Sequence, residues 1–176
     1  GVLMALNSSW DSAALGLHAI FDNSAQWIVD TTRWLLDSTD AHVIIRQHPA
    51  ERLEIARTSD DYRKLLADNF GSHARVHFIA AADPVNSYDL LQAVSTVIVY
   101  TSTIGVEAAI LGKTVITPSK SYYSSLGFVW KAGSREEYFS HISAALSGNR
   151  QVSQDMKEDA LCCYYLAQNC NWVFSP

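Results

Sequence analysis

Short runs of apolar and β-branched residues recur along the chain, and segments with apolar residues at helical spacing lie between them. The runs predict β-strands at residues 2–6, 42–46, 75–79, 96–100 and 114–117, with a last short strand at 128–130. Polar and apolar residues do not alternate inside these runs, which is typical of strands buried on both faces. The pattern therefore predicts an α/β fold, a Rossmann-like three-layer domain whose parallel sheet is covered by helices on both sides.

Helix start and stop signals agree with this arrangement. Helical spacing predicts helices at residues 24–38, 53–70, 87–94 and 104–111, and polar residues near 58–60 indicate an interruption of the second. A capping box from Ser134 to Glu137 predicts a helix through residue 146, and Ser153 caps a last helix that ends near residue 169. The sequence has no Gly-x-Gly-x-x-Gly motif, which disfavours a dinucleotide-dependent oxidoreductase.

Composition narrows the function classes further. The chain has 176 residues, which predicts one domain, and its net charge of −5 gives no reason to expect nucleic-acid binding. No apolar run approaches the ~20 residues of a transmembrane helix. The three cysteines, Cys162, Cys163 and Cys170, predict no disulfide framework, and no Cys/His set has the spacing of a zinc site. A reduced, cytosolic setting without a bound metal is expected.

A hydroxyl-rich turn follows the fourth predicted strand. Thr101, Ser102 and Thr103 stand where free backbone N–H groups and the positive end of a helix dipole meet. Ligands of open α/β sheets bind at this edge, so the turn predicts an anion site. Gly105 leaves room for a ligand to approach, and Glu107 can accept hydrogen bonds from ribose hydroxyls. The alternative is a plain helix cap with a carboxylate that complements the dipole.

His48 and Pro49 directly follow the second predicted strand and reach the same edge of the sheet. A histidine there can donate a ring N–H to a phosphate oxygen, while Pro49 fixes the backbone that aims the ring. Arg46, the last residue of that strand, can add a second positive donor. A His-Pro dipeptide is equally compatible with a turn whose imidazole is satisfied within the protein.

Two further segments end at this edge. Tyr122 and Tyr123 follow the fifth predicted strand and can stack on a base or a sugar, or lie half-buried in a surface loop. Asn7, Ser8 and Asp11 follow the first strand and are candidates by position only. The other histidines have no second ligand at metal spacing, which favours scaffold roles.

In this order, the motifs resemble the C-terminal, nucleotide-sugar-binding domain of GT-B glycosyltransferases of the bacterial capsule polysaccharide biosynthesis family. The resemblance rests on residues 3–12, 43–49, 88–93, 100–108, 112–116 and 122–123. The chain departs from the family pattern at Tyr100, where Asn or a small residue is usual, and at Thr114, where Pro is usual. Both departures affect packing more than chemistry.

The family includes Kdo transferases that use a CMP-activated sugar, so the resemblance implies inverting sugar transfer without a metal or other cofactor. It implies that His48 is the catalytic residue that contacts the donor phosphate. Ser102 and Thr103 would hold the same phosphate, and Glu107 would lie at the ribose. The family's catalytic base lies in an N-terminal domain outside this sequence, so we expect an excised half that is inactive alone.

The implied partners are a nucleotide-sugar donor, a glycan or glycolipid acceptor and that N-terminal domain. The implied location is the bacterial cytoplasm, at the inner face of the membrane. Other functions stay open. A CDP-glycerol-type glycerophosphotransferase of teichoic acid synthesis has a similar Arg-x-His-Pro motif, and sugar-nucleotide epimerases share the fold. A non-catalytic scaffold domain is a further alternative, and nucleotide binding distinguishes it from the enzymes.

Overall fold

Six parallel strands form one sheet in a computed structural model that describes residues 1–7, 20–53 and 61–170. The strands are β1 (Val2–Ala5), β2 (Val43–Arg46), β3 (Val76–Ile79), β4 (Thr96–Val99), β5 (Thr114–Thr117) and β6 (Trp130–Lys131). Their order across the sheet is β3-β2-β1-β4-β5-β6, and every neighbouring pair is parallel. The predicted α/β, Rossmann-like fold is confirmed.

Six α-helices connect and cover the strands in the described part of the chain. They are α1 (Ser24–Ser38), α2 (Tyr62–Phe70), α3 (Ser87–Ala93), α4 (Ile104–Ile110), α5 (Arg135–Leu146) and α6 (Gln154–Asn169). Side chains of Asn23, Asn86, Ser134 and Ser153 accept the capping hydrogen bonds of α1, α3, α5 and α6. The sequence signals therefore locate these helix starts because a capping side chain satisfies an otherwise unpaired backbone N–H.

Alternate residues of each central strand enter two different hydrophobic cores, which explains why the strand sequences are apolar throughout. Val2 and Met4 pack into the core beneath α1, α2 and α5. Leu3 and Ala5 pack into the opposite core beneath α3, α4 and α6. The sheet is thus the middle layer of three, as predicted. Tyr100, one of the departures from the family pattern, lies fully buried with its ring edge-on to Trp27 at 5.0 Å.

Two element boundaries differ from the sequence prediction. The last strand comprises Trp130–Lys131, later than the predicted 128–130, because Phe128 and Val129 are buried in the core before the chain joins the sheet edge. Of the helix predicted over 53–70, the structure describes α2 (Tyr62–Phe70), which is capped by Asp61, and Leu53, which is extended and ends a 3-10 turn at Pro49–Arg52. Residues 54–60 lie outside the described residues. Proline at the start of that turn fixes φ and lacks an N–H, which suits a helical first turn.

The capping box at α5 is only half formed. The Ser134 hydroxyl accepts from the Glu137 N–H at 3.2 Å, but the Glu137 carboxylate accepts from Gly133 N–H at 2.7 Å instead of from Ser134. The carboxylate therefore accepts from the backbone N–H one residue before the cap, and the helix still begins where the sequence predicts.

Helix α6 packs on α4 through one face only. Ala160 and Cys163 are buried in the core, whereas Leu161, Tyr165 and Leu166 are exposed. Among residues 1–7, 20–53 and 61–170, no helix combines the length and the apolar character that a membrane crossing requires.

A buried tyrosine links α5 to α1 through polar atoms in the core. The Tyr138 hydroxyl accepts from Trp27 Nε1–H at 2.9 Å and lies 3.0 Å from the Thr31 hydroxyl. All three side chains are buried. Burial raises the pKa of Tyr138, so its hydroxyl stays protonated and can serve both partners.

Replacing this hydroxyl should destabilise the fold. Tyr138→Phe leaves the Trp27 N–H and the Thr31 hydroxyl buried without their partner, which costs about 1–3 kcal/mol of unfolding free energy. Urea denaturation measures the change. Tyr165→Phe, at an exposed tyrosine of α6, is the matched control and should change the unfolding free energy by less than about 0.5 kcal/mol. Equal midpoints for the two variants would contradict the proposed role of Tyr138.

Candidate functional site

A cleft of about 430 Å³ opens at the carboxyl edge of the sheet, at the ends of β1, β2 and β4. It is lined by Ala5, Leu6, Arg46, His48, Pro49, Ser87, Tyr88, Ser102, Thr103, Ile104 and Glu107. The strand order reverses between β1 and β4, which is where doubly wound sheets leave a ligand-binding crevice. Segments that follow different strands, with His48 in one and Ser102 in another, therefore meet in a single cleft.

The ring of His48 is held by its own turn. It precedes the 3-10 turn at Pro49–Arg52, and its Nδ1 accepts from Ala50 N–H at 3.1 Å. Because Nδ1 acts as an acceptor, the proton of the neutral ring is on Nε2. The half-buried imidazole is thereby prepared as an N–H donor, which is the form that recognition of a phosphate oxygen requires.

Arg46 has a different role from the predicted direct donor. Its side chain is only 4% exposed, and its Nη atoms donate to the backbone carbonyls of Ala80 and Val85. Its Nε is buried and has no hydrogen-bond partner among the described residues. Burial lowers the pKa of Arg46, and the charge of Asp83 opposes this only in part. Arg46 therefore shapes the loop after β3 and contributes a positive field at the cleft wall.

The three hydroxyl residues after β4 divide between scaffold and cleft. Thr101 is buried outside the cleft lining, and its N–H and hydroxyl bond to the Asn7 side chain at 3.2 and 2.5 Å. Ser102 lines the cleft although only 6% of it is exposed. Thr103 lines it too and makes no side-chain capping bond to α4, so the plain N-cap interpretation does not apply to Thr103.

Gly105 serves packing, and the prediction that it makes room for a ligand is wrong. A Cβ at this position would lie 2.8 Å from the hydroxyl of Tyr123 and 3.0 Å from Val99 Cγ2. Tyr123 is fully buried, and its hydroxyl donates to the Ser102 carbonyl at 2.5 Å. The prediction that the Tyr123 ring stacks on a ligand is therefore wrong as well. The two residues instead fix the turn that carries Ser102.

Tyr122 retains a ring that faces solvent. It is 54% exposed and packs edge-on against Tyr123, with ring centroids 5.0 Å apart. Tyr122 does not line the cleft, but it lies next to Thr103, which does. Burial raises the pKa of Tyr122, and a hydrogen bond with the Thr103 side chain opposes this in part. Asn7 ties the end of β1 to the turn after β4, and Ser8 and Asp11 lie outside the described residues.

Glu107 lines the cleft and contacts a residue, Tyr88, that the sequence did not predict as part of the site. Its Oε1 accepts from the Tyr88 hydroxyl at 3.0 Å, and this hydrogen bond is the main reason that the pKa of Tyr88 is raised. Tyr88 and Ser87 line the cleft from the start of α3. Asn86 is the sequence signal that could have indicated Ser87 and Tyr88, because it caps α3. A helix that begins soon after β3 starts at the same edge of the sheet as His48 and Ser102.

The sequence as a whole matches a family model. The model of the capsule polysaccharide biosynthesis protein family matches residues 13–158. The chain belongs to this family. Membership confirms the resemblance carried by the motifs at the ends of the strands. No characterised protein of curated function matches the chain by sequence.

Solved structures share the fold of this capsule polysaccharide biosynthesis chain at low identity. KpsC β-Kdo 2,4 transferase of Thermosulfurimonas dismutans has a TM-score of 0.54 and 19% identity, over 90% of this chain and 43% of that protein. The KpsC β-Kdo 2,7 transferase of the same organism has a TM-score of 0.52 and 19% identity, over 74% and 37%. UDP-GlcNAc 2-epimerase of Methanocaldococcus jannaschii has a TM-score of 0.60 and 16% identity, over 96% and 45%.

These likenesses show the fold alone, which is of the GT-B type. The chain spans less than half the length of each of these proteins, with shares of 43%, 37% and 45%. It is thus a capsule polysaccharide biosynthesis domain with a glycosyltransferase-like fold.

The packing of Gly105 against Tyr123 can be tested by overfilling it. Gly105→Ala places a methyl group 2.8 Å from a buried hydroxyl, and such overpacking costs about 1–3 kcal/mol. The better helix propensity of Ala returns at most about 1 kcal/mol, so the net effect should be a loss of stability. Thermal or urea unfolding measures it.

The double variant Gly105→Ala/Tyr123→Phe separates this clash from other effects. Tyr123→Phe alone should be less stable than the original chain, because it removes the hydrogen bond to the Ser102 carbonyl. Gly105→Ala should nevertheless cost less unfolding free energy in the Tyr123→Phe background than in the original chain, because the nearest clashing atom is absent there. Gly133→Ala is the control, because a Cβ there would come no closer than 3.4 Å to the Glu137 carboxylate. If Gly105→Ala were as stable as the original chain, the packing role would be refuted.

Proposed function

We propose that this chain is the donor-nucleotide-binding half of an inverting glycosyltransferase in capsule or surface polysaccharide synthesis, with a CMP-activated sugar as donor. One observation carries the proposal. His48 and the Ser102–Thr103 turn, which follow different strands, line the same cleft at the switch point of the sheet. Family membership supports the reaction class, and the motif resemblance supports the cytidine nucleotide.

The chemistry of the cleft suits a phosphate. The Nε2–H of the neutral His48 ring and the Ser102 hydroxyl can each donate to a phosphate oxygen. Arg46 adds a buried positive charge to the wall, and among the described residues its Nη atoms donate to backbone carbonyls and to no carboxylate. A buried cation whose pKa is lowered by desolvation is stabilised when an anion arrives. Glu107, which belongs to the same cleft, is then suited to accept hydrogen bonds from the ribose hydroxyls.

In sugar transfer, the bond between the anomeric carbon and the phosphate oxygen breaks while the acceptor hydroxyl attacks the opposite face. The acceptor proton passes to a base outside this chain, and the departing phosphate retains the electrons of the broken bond. His48 and Ser102 stabilise the charge that grows on this phosphate. Removing one such donor typically lowers the rate about 10²–10³-fold. The chain alone therefore binds nucleotide and transfers no sugar.

The partners under this proposal are the nucleotide-sugar donor, a glycan or glycolipid acceptor and an N-terminal half that supplies the base. The working location is the bacterial cytoplasm, with the acceptor presented at the inner face of the membrane. The length of the solved relatives supports the missing half, since the chain spans only 43% of the KpsC β-Kdo 2,4 transferase.

Calorimetric titration of the chain with CMP, CDP, UDP and GDP tests the proposal. CMP or CDP should bind best, and His48→Ala should weaken this binding about ten-fold or more, because a hydrogen bond to a charged group contributes ~1.5–3 kcal/mol. His73→Ala is a matched control. In both histidines Nδ1 accepts from the backbone N–H two residues later: Ala50 for His48 and Arg75 for His73. His73, however, lies outside the cleft.

The outcomes separate the alternatives. A preference for UDP over CMP and CDP would favour an epimerase-like or other UDP-sugar enzyme. Binding of CDP but not of CMP would favour the glycerophosphotransferase. No heat with any of the four nucleotides would refute the donor-binding role and leave the scaffold alternative. Equal affinity of His48→Ala and the original chain for a nucleotide that binds would refute the role of His48 at the phosphate.

A further inference from the structure

We propose that Tyr88 is a specificity-determining residue that, with Glu107, reads two adjacent hydroxyl groups of the ligand and so selects ribonucleotides over deoxyribonucleotides. The inference rests on the proposed function, because it concerns the nucleotide that the cleft holds. It adds a residue on α3 to a site otherwise built from the loops after β2 and β4.

The two side chains meet at the cleft itself. The Tyr88 hydroxyl donates to Glu107 Oε1 at 3.0 Å, and both residues line the cleft with His48 and Ser102. Tyr88 is 49% exposed and Glu107 is half-buried. The contact therefore belongs to a surface that a ligand can reach.

The direction of this hydrogen bond determines what the pair can recognise. A tyrosine hydroxyl has one proton, and here Glu107 receives it, so the Tyr88 oxygen presents only lone pairs to a further partner. Glu107 Oε2 has no hydrogen-bond partner among the described residues. The pair thus offers two neighbouring acceptors and no donor. Two adjacent hydroxyl donors, as in the 2′,3′-diol of ribose, complement it; a 2′-deoxyribose supplies only one.

Both side chains stand on rigid supports. The Asn86 side chain accepts from the Tyr88 N–H at 2.9 Å and fixes the first turn of α3, whose Leu90 and Leu91 are buried. Glu107 lies on α4 between Val106 and Ala108, which are both fully buried. A carboxylate on a surface helix ordinarily samples several rotamers, and the Tyr88 hydroxyl restricts this one. Tyr88 therefore positions Glu107 in addition to offering its own oxygen.

A simpler interpretation is that the bond only links α3 to α4. In that case Tyr88→Phe would change the stability of the protein slightly and would lower the affinity for every nucleotide by the same factor. The recognition of a diol predicts a different result. The variant should lose affinity for the ribonucleotide and should bind the 2′-deoxynucleotide almost unchanged.

The experiment compares the Kd values of CMP and 2′-deoxy-CMP for the original chain and for Tyr88→Phe, with UDP and 2′-deoxy-UDP as a second pair of probes. A hydrogen bond to a charged group predicts a preference for the ribonucleotide of roughly ten-fold in the original chain. Tyr88→Phe should reduce this ratio to about two-fold. Tyr165→Phe, at an exposed tyrosine outside the cleft, should retain the original ratio.

Glu107→Gln provides an independent arm. It should lower the same ratio, and the double variant should lower it no further than the stronger single variant, because the two residues act as one unit. Equal ratios for Tyr88→Phe and the original chain, with binding that still depends on His48, would overturn the role of Tyr88 and leave the proposed function standing. Absence of binding by any of these nucleotides would overturn both.

Discussion

The candidate site depends on one constraint: all strands of the sheet run in the same direction, so all of them end at the same edge. β1 is hydrogen-bonded to β2 on one side and to β4 on the other. The chain therefore winds outward from β1 in one direction and returns to continue in the other, which opens a crevice above β1. His48 after β2 and Ser102 after β4 reach this crevice although β3 and α3 separate them in sequence.

Polar side chains behind the crevice hold its loops in place. Buried loop carbonyls and N–H groups require partners, and three side chains supply them. Asn7 binds the Thr101 backbone, Arg46 binds two carbonyls of the loop after β3, and Tyr123 binds the Ser102 carbonyl. These contacts determine the shape of the edge before a ligand arrives, and such preorganisation lowers the cost of binding.

The strands and helix starts follow from local rules, because fully buried strands and capping side chains leave clear patterns. The division between ligand contact and scaffold does not. Arginine, glycine and tyrosine have the same chemistry in both roles, and only the folding back of the loops after β3 and β5 shows that Arg46, Gly105 and Tyr123 serve the scaffold. Tyr88 belongs to a motif of the family resemblance but was not predicted as a site residue, because its contact with Glu107 crosses between two helices.

The fold by itself does not determine the chemistry of this edge. A Kdo transferase and a UDP-GlcNAc 2-epimerase resemble the chain to a similar degree, with TM-scores of 0.54 and 0.60. Recognition of a phosphate and a ribose, as proposed for this cleft, is compatible with either reaction. Under the proposed function, the cleft of His48, Ser102 and Glu107 determines which nucleotide binds, and family membership supports the class of reaction. Transfer differs from epimerisation at the far side of the phosphate, where an acceptor hydroxyl and a base must face the donor sugar.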